Sequence, residues 1–112
     1  NASCIIAQRE TDTSCPQLIV EDTYGALAMI GRAAKERLKK SFDLKCTIGV
    51  TGSVGKTTTK QFIFSVLNTK YETNVTKGNF NNEVGLPLTV LNMTGEHKAL
   101  LLEMGMNYPD CW

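Results

Sequence analysis

The stretch from Lys45 to Gln61, KCTIGVTGSVGKTTTKQ, decides how the chain reads. Cys46, Thr47, Ile48 and Val50 are β-branched or small, and they suit a short buried strand. Gly52 and Gly55 follow, then Lys56 and Thr57, and an amphipathic helix begins. Strand, glycine loop and helix is the layout of a phosphate-binding loop. Glycines at 52 and 55 let the backbone curl without Cβ clashes, so successive N–H groups can point at one anion. The helix adds its unpaired N-terminal N–H groups and the positive end of its dipole. Lys56 supplies a mobile charge for β/γ phosphates, and Thr57 a hydroxyl for Mg²⁺. The general pattern G-x-x-x-x-G-K-[ST] would place its first glycine at position 50, where this chain has Val50. The loop is therefore a variant, T-G-x-x-G-K-T-T. The alternative is a glycine-rich turn that binds nothing. The Gly55-Lys56-Thr57 triplet, at a helix start behind an apolar strand, argues against it.

Outward from the loop, a helix is expected from about Lys56 to Asn68, with Phe62, Ile63, Val66 and Leu67 as its buried stripe and Lys60, Gln61 and Ser65 off it. Tyr71 to Thr76 reads as a second strand. Asn79, Asn81 and Asn82 then fall within four residues, between Gly78 and Gly85. Ligands of open α/β sheets sit at the carboxyl edge of the strands, where this loop lies; a plain asparagine-rich turn is the alternative. Pro87 fits the first turn of a further helix. Ala99 to Leu102 is an apolar run that ends in Glu103. An acid on a neighbouring strand tip completes the Mg²⁺ site in phosphate-loop proteins, so Glu103 is the candidate metal ligand. Met104, Met106 and Tyr108 read as packing residues, and His97 as a surface residue rather than a base.

Toward the N-terminus, Cys4 to Ala7 and Leu18 to Val20 are short apolar runs around a charged turn, as in strand–turn–strand. Asp22 or Thr23 would cap a helix that runs to about Lys40, with Leu27, Ile30, Ala34 and Leu38 on one face. Lys35, Arg37, Lys39 and Lys40 crowd its C-terminal end, where positive charge suits the dipole. A new strand and a new kind of motif start directly after it. The expected division is 1–43, the end of a small N-terminal α/β domain, and 44–112, the start of an α/β domain with a phosphate-loop parallel sheet.

A length of 112 residues allows one ordinary domain or pieces of two. Apolar content of 42% with 21% charged residues describes a globular chain rather than a disordered one. The formal net charge of +1 gives no bulk pull toward nucleic acid or a membrane surface. No apolar run approaches the roughly 20 residues that span a bilayer, so no membrane insertion is expected. No basic region followed by an apolar stretch marks a signal peptide. Asn1 in place of methionine suggests an excerpt or a processed product. Cys4, Cys15, Cys46 and Cys111 show neither C-x-x-C pairing nor zinc spacing, and read as free thiols. The sheet would have only three strands in 44–112, fewer than is usual, so the domain is expected to be cut short.

Three segments together resemble the Mur ligases: TGSVGKTTTK (Thr51 to Lys60), TKGNFNNEVGLPLT (Thr76 to Thr89) and LEMGMN (Leu102 to Asn107). The variant phosphate loop is that family's usual form. A weaker likeness at VEDTYGAL (Val20 to Leu27), to the end of the family's first domain, extends it over essentially the whole chain. The resemblance implies a cytoplasmic, monomeric, ATP- and Mg²⁺-dependent amide ligase of peptidoglycan synthesis, hence of cell-wall biogenesis, cell shape and division. Its implied substrates are UDP-N-acetylmuramoyl-tripeptide and D-alanyl-D-alanine. ATP would phosphorylate the tripeptide's terminal carboxylate, and the dipeptide amine would attack the acyl phosphate.

By the same resemblance, Gly52, Ser53, Val54, Gly55, Lys56, Thr57 and Thr58 would hold the ATP phosphates. Lys56 would be catalytic, neutralising charge on the transferring phosphoryl group. Thr57 and Glu103 would hold Mg²⁺. Asn79, Asn81 and Asn82 would lie near the phosphates or the nucleotide-sugar substrate. No general base is assigned. After Asn107 the chain runs Tyr108 to Trp112, where a complete ligase would continue through the rest of its ATPase domain and a C-terminal domain. The expectation is an incomplete piece that is inactive by itself. Two other classes remain open at this point: a non-catalytic nucleotide-binding module, and another phosphate-loop enzyme such as a folylpolyglutamate synthase or a small-molecule kinase. The asparagine loop argues against the latter.

Overall fold

The computed structural model describes residues 2–78 and 80–105. Two parallel sheets carry the chain. The smaller pairs β1 (Ile5–Ala7) with β2 (Gln17–Ile19), Ile5 lying opposite Gln17. Parallel neighbours usually need a crossover of about a dozen residues or more. Here residues 8–16 make the return, and Gln17 holds it. Its side-chain oxygen accepts from the Thr11 N–H (2.8 Å) and hydroxyl (2.9 Å), and its amide donates to the Thr11 carbonyl (2.8 Å).

Helix α1 (Thr23–Ser41) starts at Asp22, whose Oδ1 accepts from the Tyr24 N–H at 3.1 Å. Its contact face keeps Ala34 and Leu38 of the expected one but turns away from Ile30. Ile30 is exposed, while Gly31, Lys35 and Leu38 are buried. These three lie at i, i+4 and i+7, on the line that meets helix α3 (Gly85–Leu91), and that contact sets the phase.

The larger sheet has the order β3 (Cys46–Val50), β5 (Ala99–Glu103), β4 (Thr73–Val75), all parallel. As expected, the strand that feeds the glycine loop and the Ala99–Leu102 run are neighbours. Every residue of β5 is buried, which is why it reads as an unbroken apolar run. Its side chains alternate between two layers. Leu100 and Leu102 pack with Leu86 and Val90 of α3 and Leu38 of α1. Ala99, Leu101 and Glu103 point to the opposite face, against helix α2 (Lys56–Leu67). Pro87 sits in the first turn of α3, where its missing N–H costs nothing.

The buried stripe of α2 corrects the sequence reading. Phe62 and Val66 are each 71% exposed, whereas Lys60 is 6% exposed. The inward line is Lys60, Ile63, Phe64 and Leu67, at i, i+3, i+4 and i+7. An ion pair fixes this phase by drawing Lys60 onto the sheet. Cys4, Cys15 and Cys46 are free thiols, and Cys111 lies outside the described residues. No helix among the described residues is long and apolar enough to cross a membrane.

Candidate functional site

The glycine loop, Thr51 to Gly55, connects the carboxyl end of β3 to the first turn of α2. Gly52 (φ 146°) and Gly55 (φ 75°) take left-handed backbone conformations that side chains disfavour. Gly55 is the N-cap of α2 and offers no capping side chain. Its carbonyl accepts from the Thr59 N–H at 3.0 Å. Among the described residues, no internal acceptor takes any backbone N–H from Gly52 to Thr58. A helix start ordinarily finds caps for such groups. Here they remain as a cluster of donors at the positive end of the dipole, which is the physical definition of an anion cradle. Ser53 and Val54 form the exposed loop tip, and Thr57 and Thr58 lie in the first turn. Lys56 Nζ reaches back across the loop to the Gly52 carbonyl at 2.6 Å. That bond uses one of its three donors and holds the ammonium over the loop.

Beside this cradle stands Glu103, the last residue of β5 and only 4% exposed. Thr57 Oγ1 donates a long hydrogen bond to Glu103 Oε1, at 3.5 Å. The other oxygen, Oε2, lies 2.7 Å from Lys60 Nζ. That contact is off the direction of a hydrogen bond, so Oε2 has ionic compensation but no aligned donor. Lys60 Nζ also donates to the Thr76 carbonyl at 3.0 Å. The Thr76 hydroxyl accepts from the Glu103 N–H at 3.0 Å.

These residues fit a magnesium ion. Two oxygens bound cis to one Mg²⁺ at about 2.1 Å stand about 3 Å apart. Thr57 Oγ1 and Glu103 Oε1 are 3.5 Å apart. The carboxylate keeps unspent lone pairs on both oxygens. Among the described residues no three His, Cys, Asp or Glu side chains cluster. One carboxylate and one hydroxyl, with phosphate and water to complete the shell, is a magnesium donor set.

The profile of the Mur ligase middle domain matches residues 50–110, more than half of the chain. The chain belongs to the Mur ligase family. It is 48% identical over 90 residues to the UDP-N-acetylmuramoyl-tripeptide–D-alanyl-D-alanine ligase of Bacillus subtilis, covering 80% of this chain and 19% of that protein. It is 36% identical over 110 residues to the enzyme of the same name from Haemophilus influenzae, covering 95% of this chain and 23% of that one. Among solved structures, MurF from Acinetobacter baumannii superposes with a TM-score of 0.81 at 36% identity, over 94% of this chain and 22% of that one. MurF ligase from Thermotoga maritima in complex with ADP superposes at 0.77 with 40% identity, over 96% of this chain and 24% of that one. The chain thus spans about a fifth of the length of the curated relatives it matches.

In this Mur ligase chain the asparagine loop does reach the same sheet edge. Met104 N–H donates to the Val50 carbonyl (2.8 Å) and Gly105 N–H to the Asn81 carbonyl (2.9 Å). The tip of β5 is thereby stitched to the glycine loop's strand on one side and to the asparagine loop on the other. Asn82 serves the fold as a cap: its Oδ1 accepts from the N–H groups of Val84 (3.2 Å) and Gly85 (2.8 Å) at the start of α3. Asn79 lies outside the described residues. His97 Nδ1 accepts from the Thr94 N–H at 3.0 Å and closes a turn away from the site. Two residues escaped the sequence reading, Lys60 and Thr76. The signal for Lys60 was present: it stands three and four residues before Ile63 and Phe64, in phase with the apolar stripe. A charge in that position requires a buried partner.

Proposed function

We propose that this chain is the nucleotide-binding front of an ATP-dependent ligase that joins D-alanyl-D-alanine to UDP-N-acetylmuramoyl-tripeptide. The observation that carries this reading is the uncapped start of α2, whose N–H groups from Gly52 to Thr58 have no acceptor among the described residues and stand beside a buried carboxylate. Support also comes from relatives whose names state that reaction and from a neighbour solved with ADP.

On this reading the N–H groups from Gly52 to Thr58 hold the ATP phosphates, and Lys56 moves from the Gly52 carbonyl onto the β/γ phosphates. The γ-phosphoryl group passes to the tripeptide's terminal carboxylate, giving an acyl phosphate and ADP. The dipeptide amine attacks that carbonyl, a proton leaves the nitrogen, and inorganic phosphate departs as the amide forms. Charge builds on the equatorial phosphoryl oxygens, and Lys56 is placed to neutralise it. Thr57 and Glu103 would hold Mg²⁺, which when bound neutralises and orients the phosphates. Asn81 and Asn82 position the loop that faces these groups, with Asn79 beside them in sequence. Residues 1–43 would close the N-terminal, UDP-substrate domain and 44–112 open the ATP-binding domain. The protein would work in the cytoplasm, as a monomer.

The test is Glu103→Gln in the full-length protein. The swap keeps size and removes charge. Ligation should need far more Mg²⁺ or collapse in rate, while an unchanged Mg²⁺ curve and rate would remove Glu103 from the metal site.

A further inference from the structure

We propose that Lys60 is a positioning residue that holds the Glu103 carboxylate in the orientation the metal requires. The inference rests on the reading of Glu103 given above. Four observations carry it. Lys60 and Glu103 side chains are 7% and 5% exposed, so their ion pair is effectively buried. The two carboxylate oxygens are divided between partners: Oε2 faces Lys60 at 2.7 Å, and Oε1 faces Thr57 at 3.5 Å. Lys60 is itself anchored on the Thr76 carbonyl at 3.0 Å, and the Thr76 hydroxyl takes the Glu103 N–H at 3.0 Å. Lys60, Thr76 and Glu103 therefore form a closed ring across α2, the end of β4 and β5. Finally, Lys60 lies one turn after Lys56 on the same helix, so the helix that carries the phosphate lysine also carries the clamp.

The physical logic is division of labour within one carboxylate. A glutamate has three side-chain torsions. Burial alone does not decide which oxygen faces the cradle. The Lys60 ammonium, pinned by a backbone carbonyl, draws Oε2 away from the loop and leaves Oε1 beside Thr57. Outer partners that orient a metal ligand ordinarily matter by 10–100-fold in metal affinity.

A simpler electrostatic view predicts the opposite sign. Lys60 is a cation near a cation site, so its removal should tighten metal binding. Binding of Mn²⁺ with ADP, followed by electron paramagnetic resonance on the full-length protein, separates the two. Lys60→Met keeps the stem and removes the charge. Mn²⁺ affinity should fall by at least about 10-fold, while ADP affinity measured without metal stays within about twofold, since the Lys60 ammonium is engaged by Glu103 and the Thr76 carbonyl. Lys60→Met should also lower the melting temperature, because it leaves a buried carboxylate uncompensated. The double variant Lys60→Met/Glu103→Gln should regain that stability, because the uncompensated buried charge is gone. Unchanged or tighter Mn²⁺ binding in Lys60→Met overturns the proposal.

Should Lys60→Met not fold, Lys60→Arg decides. The fork of an arginine engages both carboxylate oxygens, so positioning predicts the same loss of Mn²⁺ affinity in a folded protein, and retained affinity overturns it. Glu103→Gln is the control for the underlying reading. If that variant binds Mn²⁺ normally, Glu103 is not a ligand and the function reading of this residue fails. If it loses Mn²⁺ while Lys60→Met does not, only the positioning role fails.

Discussion

Asn82 gives the sharpest quantitative test, because sequence and structure assign it different work. The resemblance puts it near phosphates or substrate, and the structure makes it the cap of α3. Its Oδ1 accepts from Val84 N–H and Gly85 N–H at 3.2 and 2.8 Å. Asn82→Ala removes both acceptors. An N-terminal cap is worth about 1 kcal/mol. Gly85 is buried, so its N–H loses its partner without easy access to water, which moves the expected cost toward about 2 kcal/mol. A loss of about 1–2 kcal/mol is roughly a 5–30-fold rise in the open population. Amide hydrogen exchange on the full-length protein reads this directly. Protection at Val84, Gly85 and Leu86 should fall by that factor, with the loop from Thr51 to Gly55 unaffected. Asn82→Asp keeps the acceptor and adds a negative charge at a helix start, so protection should be equal or higher. The same Asp should weaken ATP binding if the side chain also faces phosphate. Wild-type exchange at Gly85 in Asn82→Ala would refute the capping role.

Three further outcomes are expected. Lys56→Ala should cut ATP turnover by roughly 10²–10³-fold or more with an unchanged circular dichroism melt, since among the described residues its ammonium bonds only the Gly52 carbonyl; near wild-type turnover would remove Lys56 from the mechanism. Leu102→Ala, at the centre of the cluster with Leu38, Leu86 and Val90, should cost about 2–5 kcal/mol in urea unfolding, and a cost below about 1 kcal/mol would mean this core is not the one that holds the sheet. Burial, with repulsion from Lys39, holds the Lys35 ammonium below the usual lysine range. The unfolded chain then binds more protons than the native one between the lowered value and 10.5, so this residue makes stability rise with pH across that alkaline window. Lys35→Met should lose that slope, and identical slopes in both proteins would contradict it.

Much of the site could be read in the sequence because its determinants are local. Gly52, Gly55, Lys56 and Thr57 are consecutive or nearly so, and the strand before them and the helix after them are set by neighbours in the chain. The placement of Glu103 at the tip of a strand beside the one that feeds the loop was also legible, since an unbroken apolar run ending in an acid reads as a buried parallel strand. What escaped was rotational phase. Residue type put Phe62 and Val66 inside and Lys60 outside, and the structure has the reverse. The error is one of about one residue around the helix, some 100°. Its cause is non-local: Glu103, 43 positions later, offers a buried negative charge to Lys60. Thr76 was hidden for the same reason. Its hydroxyl matters only because β4 and β5 are neighbours, and no local pattern announces that.

The position of α1 extends this point to the proposed division at residues 43 and 44. That boundary follows motifs: a helix ends and a strand of a new kind begins. The packing follows a different logic. Leu38 is buried with Leu86, Val90, Leu100 and Leu102, and Ala34 and Leu44 pack against the same cluster. The Lys98 ammonium donates to the Phe42 carbonyl at 2.6 Å, and Lys45 N–H to the Lys98 carbonyl at 2.8 Å. The layer over one face of the larger sheet is therefore α3 together with the end of α1. A three-stranded sheet with α3 alone, a helix of seven residues, would leave Leu86 and Val90 partly uncovered, and such a contact resembles an interior more than a mobile interface between domains. Helix α1 is thus joined by packing to the layer beside the β5 tip. Helix α1 packs on α3, whose cap, Asn82, lies beside Asn81 and its bond to Gly105.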